Sequence, residues 1–340
     1  MSSSWQTPDA RRQRIDSVDA LRGFTVAAML LVNNPGTWSA IYPPLRHAEW
    51  HGWTPTDLIF PFFLFIVGIT TELSKKEPRG ILRRGLLIIL CGLLLNAFPY
   101  FRLSEVRVTG VLQRIGIVYI AAALVAWKAS RRTIAVIVAA ILLGYWALLT
   151  TQPLAPPAAT LAAAVDQALI PEQHLWKQSR TWDPEGILST FPAIATALLG
   201  LLIAPWVRAK KVSMLTIAGA AAIVIGLAWG LVFPINKNLW TSSYVVSTAG
   251  AACVVLALWM RFLPAQPFVV FGVNPLLAFI ASGAMARLLD ICRLKPFTYR
   301  TFFKPYFPPE LASLLWALTF VLFWYGVLVI LYRRRIFLRL

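Results

Sequence analysis

Ten runs of roughly 20 predominantly apolar residues constrain this chain more than any other feature. They lie near 17–34, 54–73, 81–98, 108–127, 132–151, 186–206, 213–233, 240–262, 267–286 and 311–332. At 1.5 Å per residue, about 20 helical residues cross the ~30 Å hydrocarbon core of a bilayer. The runs are too long for barrel strands and lack strict alternation. Lipid offers no water to an open backbone, so each is expected to be an α-helix. Composition agrees. Hydrophobic residues make up 58% and charged residues 14%, against about 25% charge in a soluble chain. A soluble fold of this composition would expose large apolar patches. The expected architecture is a single all-α, polytopic transmembrane domain over 1–340. An ordinary cytosolic enzyme, a disordered chain and a secreted disulfide scaffold are excluded.

Lysine and arginine set the orientation. Numbering the span ends alternately from the N-terminus puts nineteen bases on the first side and eleven on the other, with Arg22 and Arg114 inside spans. Both termini are therefore expected in the cytoplasm, with 1–16 as a tail. The long loops 152–185 and 287–310 are expected outside. The polar tail has no apolar run ending in a small-residue cleavage site, so no cleaved signal peptide is expected. The net charge of +18 is read as topology plus attraction to anionic membrane lipid, not as nucleic-acid binding. Cys91, Cys253 and Cys292 are far apart and form no CxxC pair, so neither a metal site nor a disulfide framework is expected. The expected location is a bacterial inner (cytoplasmic) membrane.

Polar groups inside spans are expensive, so they are candidates for function. Asn33 and Asn34 end the first span, and His47 and His51 lie in the loop that follows. Asp57 opens the second span, and Asn96 ends the third. Gln113 and Arg114 sit near the start of the fourth. Asp183 and Glu185 precede the sixth, and Trp240, Ser243 and Tyr244 open the eighth. All these positions lie at the outer face. A smaller group, Arg14, Asp16, Asp19 and Arg22, marks the cytoplasmic mouth. Asp19 and Arg22 are three apart and can pair on one helix.

The most specific segment is 31–68, with Asn33, then His47-Ala48-Glu49-Trp50-His51-Gly52, then Thr54-Pro55-Thr56-Asp57-Leu58-Ile59-Phe60-Pro61. It resembles the heparan-α-glucosaminide N-acetyltransferase family of transmembrane acyltransferases. Further matches follow in order: GVLQRIGIVY at 110–119, DPEGILST at 183–190, LWTSSYVVST at 239–248 and FGVNPLLAF at 271–279. The resemblance implies transfer of an acetyl group from cytosolic acetyl-CoA, the acyl donor, to a glycan or amino-sugar acceptor across the membrane. It places the catalytic histidine at His47 and its partner asparagine at Asn33, and it makes a homodimer plausible. One departure is His51, where the animal enzymes have asparagine.

The residues fit that chemistry. An amine must lose its proton before it attacks a thioester, and an imidazole suits this role. Asp57 can orient the ring. The Asn33 amide can donate to the thioester oxyanion. His51, Gln113, Arg114, Asp183, Glu185, Trp240, Ser243 and Tyr244 are expected around the acceptor, and Arg14, Arg22 and Asn274 along the CoA path. Each has a bland counterpart. His47 and His51 can be inert loop histidines, and Asp57 a helix cap. Trp240 can be a belt tryptophan, Asn274 an interhelical bond, and Arg114 half of an ion pair with Asp57, Asp183 or Glu185. His174 is expected to be solvated, and 152–165 to be a connector. A proton-coupled secondary transporter of a small polar solute also fits the span count. It ranks second because the acids cluster near the outer face, not the midplane.

Overall fold

The computed structural model describes residues 15–74 and 77–338. Arg14, Lys75 and Lys76, expected at the cytoplasmic mouth, lie outside the described residues. The helices are α1 (Asp16–Asn33), α2 (Ile59–Ser74), α3 (Pro78–Ala97), α4 (Val111–Lys128), α5 (Arg131–Leu149), α6 (Leu161–Leu169) and α7 (Ile187–Arg208). They continue as α8 (Val212–Gly230), α9 (Ser242–Arg261), α10 (Phe268–Val273), α11 (Pro275–Ile291), α12 (Leu294–Phe302) and α13 (Pro309–Arg333). Among the described residues there is no β-strand, only an isolated bridge between Gly52 and Asn236.

The protein is a multi-pass, all-α membrane protein. Among the described residues, eight helices are long and apolar enough to span, or nine if α11 and α12, bent by 79°, count as one span. The remaining expected span, 17–34, is α1, whose first turns carry Asp16, Asp19 and Arg22. The expected continuous span 267–286 is instead broken at Asn274. Pro275 has no N–H to donate and disfavours helical geometry in the residue before it, so a new helix starts there. Pro78 and Pro309 open α3 and α13 in the same way.

The bundle has an inner and an outer layer. The spans containing α2, α7 and α9 are 61%, 56% and 67% buried, against 17% for α8 and 22% for α13. The inner helices are therefore covered by protein and the outer ones left for lipid. Close contact between inner helices depends on glycine. A Cβ on Gly68 of α2 would lie 1.8 Å from the Ala197 carbonyl oxygen of α7, and one on Gly200 would lie 2.0 Å from that of Phe65. Small residues of this kind let membrane helices approach backbone to backbone. Gly200→Val is expected to force α2 and α7 apart and to destabilise the protein by about 1–3 kcal/mol. Gly144→Val, where the added carbon meets nothing within 4 Å, is the matched control. Thermal unfolding in detergent reads the difference, and equal midpoints for the two variants contradict the expectation.

Candidate functional site

The N-terminal ends of α2, α4, α7 and α9 meet at one end of the bundle. The Tyr244 hydroxyl, in the first turn of α9, donates to the Asp57 carbonyl at the start of α2 (2.5 Å). Arg114, in the first turn of α4, donates to Gly186 O at the start of α7 (3.1 Å) and to Ser189 Oγ. Four converging N-termini create a positive field, and two buried carboxylates answer it. Asp57 sits at the start of α2. Asp166, on α6, accepts from the Ile187 N–H at the start of α7 (2.9 Å).

Asp57 is the hub. Thr54 and Asp57 form a capping box ahead of α2. Asp57 Oδ2 accepts from the Thr54 N–H (2.9 Å) and the Ala48 N–H (3.0 Å). Its Oδ1 lies 2.7 Å from His47 Nδ1. The carboxylate side chain is 1% exposed, whereas the His47 side chain is 47% exposed. A buried anion thus holds one edge of an imidazole whose body faces outward, and the same carboxylate caps the helix start.

Lys237 completes the cluster. Its Nζ lies 2.9 Å from His47 Nδ1, 3.3 Å from His47 Nε2 and 3.5 Å from Asp57 Oδ1. Burial pushes the ammonium pKa down, against the opposing pull of Asp57 and Glu185. The histidine loop is stitched to the loop before α9. Gly52 N–H donates to Ile235 O (2.7 Å), and Asn236 Nδ2 lies 3.5 Å from His51 Nδ1. Burial lowers the His51 pKa. Its ring is edge-on to Trp50, which packs on Trp182, which in turn packs on Trp176.

Several expected site residues lie elsewhere or do other work. Asn33 is exposed and makes no hydrogen bond to the His47–Asp57 pair, while Asn34 is buried and caps α1 through Leu30 O (2.8 Å). Trp240 is neither a belt residue nor a surface platform. It is 1% exposed, lies between Phe60 and Tyr244, and donates to Thr196 Oγ1 (3.1 Å). Ser243 is equally buried and donates to Phe233 O (2.6 Å). Trp240, Ser243 and Tyr244 therefore support the site from behind. Asp183 and Glu185 pair with Arg107, not with Arg114, because the fork of Arg107 reaches both acids. Thr109 donates to Asp183 as well. Burial works against the Arg107 charge, but Glu185 and Asp183 outweigh it and raise its pKa.

Arg114 is 1% exposed and lies over the Trp240 ring at 5.2 Å. Its Nε and Nη1, and the Nε2 of Gln113, have no partner among the described residues. The Asn274 amide donates to Ile336 O (3.0 Å) and accepts from Leu338 N (2.9 Å), so it fastens the C-terminal segment. Arg22 pairs with Asp19 (2.6 Å) and donates to Gly272 O (2.7 Å). His174, expected to be solvated, is half-buried, and its Nδ1 lies 2.7 Å from Val106 O.

The 152–165 stretch leads into α6 and does more than connect. Burial raises the Asp166 pKa from 3.8 to about 6, against the backbone N–H bonds from Ile187 and Asp183 that lower it. The folded value lies above the unfolded one, so the folded state holds the proton more tightly. This contribution to stability is full below about pH 4 and is lost as pH rises through about 6. Asp166→Asn is expected to remove that slope, worth up to about 3 kcal/mol. Unfolding midpoints at pH 4.5 and 7.5 test it, and an unchanged slope in the variant refutes it.

The family described as "Heparan-alpha-glucosaminide N-acetyltransferase, catalytic" matches residues 14–231. Heparan-alpha-glucosaminide N-acetyltransferase of Mus musculus is 27% identical over 365 residues, covering 82% of this chain and 55% of the mouse protein. The protein of the same name from Homo sapiens is 28% identical over 355 residues, covering 78% of this chain and 52% of its own length. The chain thus spans about half the length of the curated relatives it matches.

Proposed function

The chain belongs to the family of heparan-alpha-glucosaminide N-acetyltransferase catalytic domains, and on that premise we propose that it is a transmembrane acetyltransferase. It moves an acetyl group from cytosolic acetyl-CoA to an amino sugar or related glycan on the extracytoplasmic side, with both termini in the cytoplasm. The observation that carries this reading is the buried Asp57 carboxylate holding the half-exposed His47 imidazole by one nitrogen.

In the proposed reaction, His47 Nδ1–H donates to Asp57, which leaves the lone pair of Nε2, 3.3 Å from Lys237 Nζ, to take the acceptor's proton. The acceptor nitrogen or oxygen forms a bond to the acetyl carbonyl carbon, the carbon–sulfur bond breaks, and the proton on His47 passes to the departing thiolate. Lys237 sets its ammonium beside both the ring and the Asp57 carboxylate. Asn33, exposed at the end of α1, is assigned as donor to the developing oxyanion. His51, with the Trp50–Trp182–Trp176 cluster beside it, forms the acceptor wall. Arg22, already paired with Asp19, and the exposed Arg83 supply positive charge for the nucleotide phosphates at the cytoplasmic mouth.

Sealed proteoliposomes test the reading. With acetyl-CoA on the cytoplasmic side and an amino-sugar acceptor on the other, acceptor-dependent release of CoA thiol and labelled N- or O-acetyl product are expected. Uptake of a solute with no CoA released supports a carrier and sinks the proposal.

A further inference from the structure

At the end of α3 that adjoins the site lies a cavity of about 640 Å³, lined in part by Asn96, Tyr100, Arg102, Lys177, Arg287 and Asp290. Its charges are not balanced locally. Lys177 pairs with Glu105 (3.7 Å), and Asp290 with Lys295 (3.9 Å). Those pairs use both acids of the wall. Arg102 lies over the Tyr100 ring at 5.8 Å, and Arg287 Nη1 donates to Phe98 O (3.0 Å). Among the described residues neither arginine has a carboxylate within 4 Å. Two guanidinium groups therefore line one cavity with neither paired to a carboxylate. Arginine binds phosphate through paired N–H groups.

The surroundings say what carries the phosphate. Leu82, Leu86, Leu90 and Leu94 are each exposed and spaced by four, so they form one stripe along α3. The stripe is about 18 Å long, more than the ~15 Å of one leaflet's hydrocarbon. It ends at the cavity. On the other side, Leu288 and Ile291 of α11 are also exposed. A free anion would have no use for this apolar track, whereas a phospholipid has acyl chains for the stripe and a phosphate for the cavity.

We propose that this cavity seats the phosphate headgroup of an anionic outer-leaflet phospholipid, held by Arg102 and Arg287, with its acyl chains along the Leu82–Leu94 stripe. The cavity adjoins the reaction centre without being part of it. Asn96, in its wall, donates to the carbonyls of Arg107 and Thr109 (2.9 and 3.1 Å), whose side chains hold Asp183. A seated lipid would thus brace that segment.

The test reads lipid binding, so its failure is distinct from failure of the acetyltransferase reading. Full-length protein in neutral detergent is titrated with phosphatidylglycerol, phosphatidylcholine or inorganic phosphate, and followed by thermal midpoint and native mass spectrometry. Phosphatidylglycerol is expected to stay bound at about one per chain and to raise the midpoint. Its apparent affinity is expected to fall at least tenfold in Arg102→Gln, and further when Arg287→Gln is added. Arg102 is exposed, so the single variant remains readable if the double variant does not fold. Arg300→Gln, on α12 and outside the cavity, is expected to bind as wild type. Equal effects of phosphatidylcholine, an equal midpoint shift from inorganic phosphate, or unchanged binding in Arg102→Gln each overturn the proposal.

Discussion

Replacing His47 by alanine is expected to lower kcat for acetyl transfer by about 10²–10⁴-fold, the range a positioned general base contributes. The protein is expected to stay folded, because the His47 side chain is half exposed and its loss opens no cavity in the core. The buried Asp57 keeps its backbone donors at Ala48 and Thr54 and its contact with Lys237. KM for acetyl-CoA is expected to change little, since the base acts on the acceptor. His51→Ala is the internal comparison. Its ring is edge-on to Trp50 and more than 3 Å from any partner, so it is expected to raise KM for the acceptor and leave most of kcat. Steady-state kinetics on both variants, with circular dichroism for folding, decide the matter. A dead His51→Ala beside an active His47→Ala would falsify the assignment.

The path from sequence to this site shows which signals are local. Hydropathy is summed over a single segment, so helix positions were legible, and the His47-to-Asp57 spacing falls within one loop and one helix start. The break at Asn274 was written in the Asn-Pro dipeptide, a signal that an apolar-run count passes over. Partner choice was less legible, because it is settled by three-dimensional packing. Arg107 and Arg114 stand seven positions apart at the same helix start, and nothing in the chain says which one reaches Asp183. Burial of Trp240 reversed the usual reading of a tryptophan near a membrane surface, since its backbone takes a left-handed φ of 53° and its ring lies between Phe60 and Tyr244. Lys237 was missed altogether. It meets His47 across 190 positions, and a lone lysine in an outer loop looks like any solvated base. The one available clue was its place in the loop just ahead of a segment already marked by the family resemblance.

Asp57→Asn is expected to reduce kcat by about 10²–10⁴-fold while preserving most of the fold. The amide has nearly the shape of the carboxylate, and its oxygen can still accept from the Thr54 and Ala48 N–H groups. It cannot carry the charge. With the anion gone, nothing fixes the tautomer in which His47 Nδ1 bears the proton and Nε2 is free, and such tautomer control is worth several orders of magnitude in triad enzymes. Lys237 also loses its closest carboxylate. An unpaired, largely buried ammonium is unfavourable, so the lysine is expected to shed its proton more readily in the variant. Stability is expected to fall by about 1–3 kcal/mol. Asp57→Ala is expected to do worse, because it also strips the helix cap and leaves the Ala48 and Thr54 donors unpaired. The discriminating quantity is the ratio of losses. A purely structural Asp57 predicts that Asn, which keeps the cap, stays active while Ala unfolds. An orienting Asp57 predicts that Asn folds and is inactive, with KM for acetyl-CoA unchanged. Kinetics and thermal midpoints on the two variants separate these outcomes, and an active Asp57→Asn enzyme would end the role assigned to the His47–Asp57 pair.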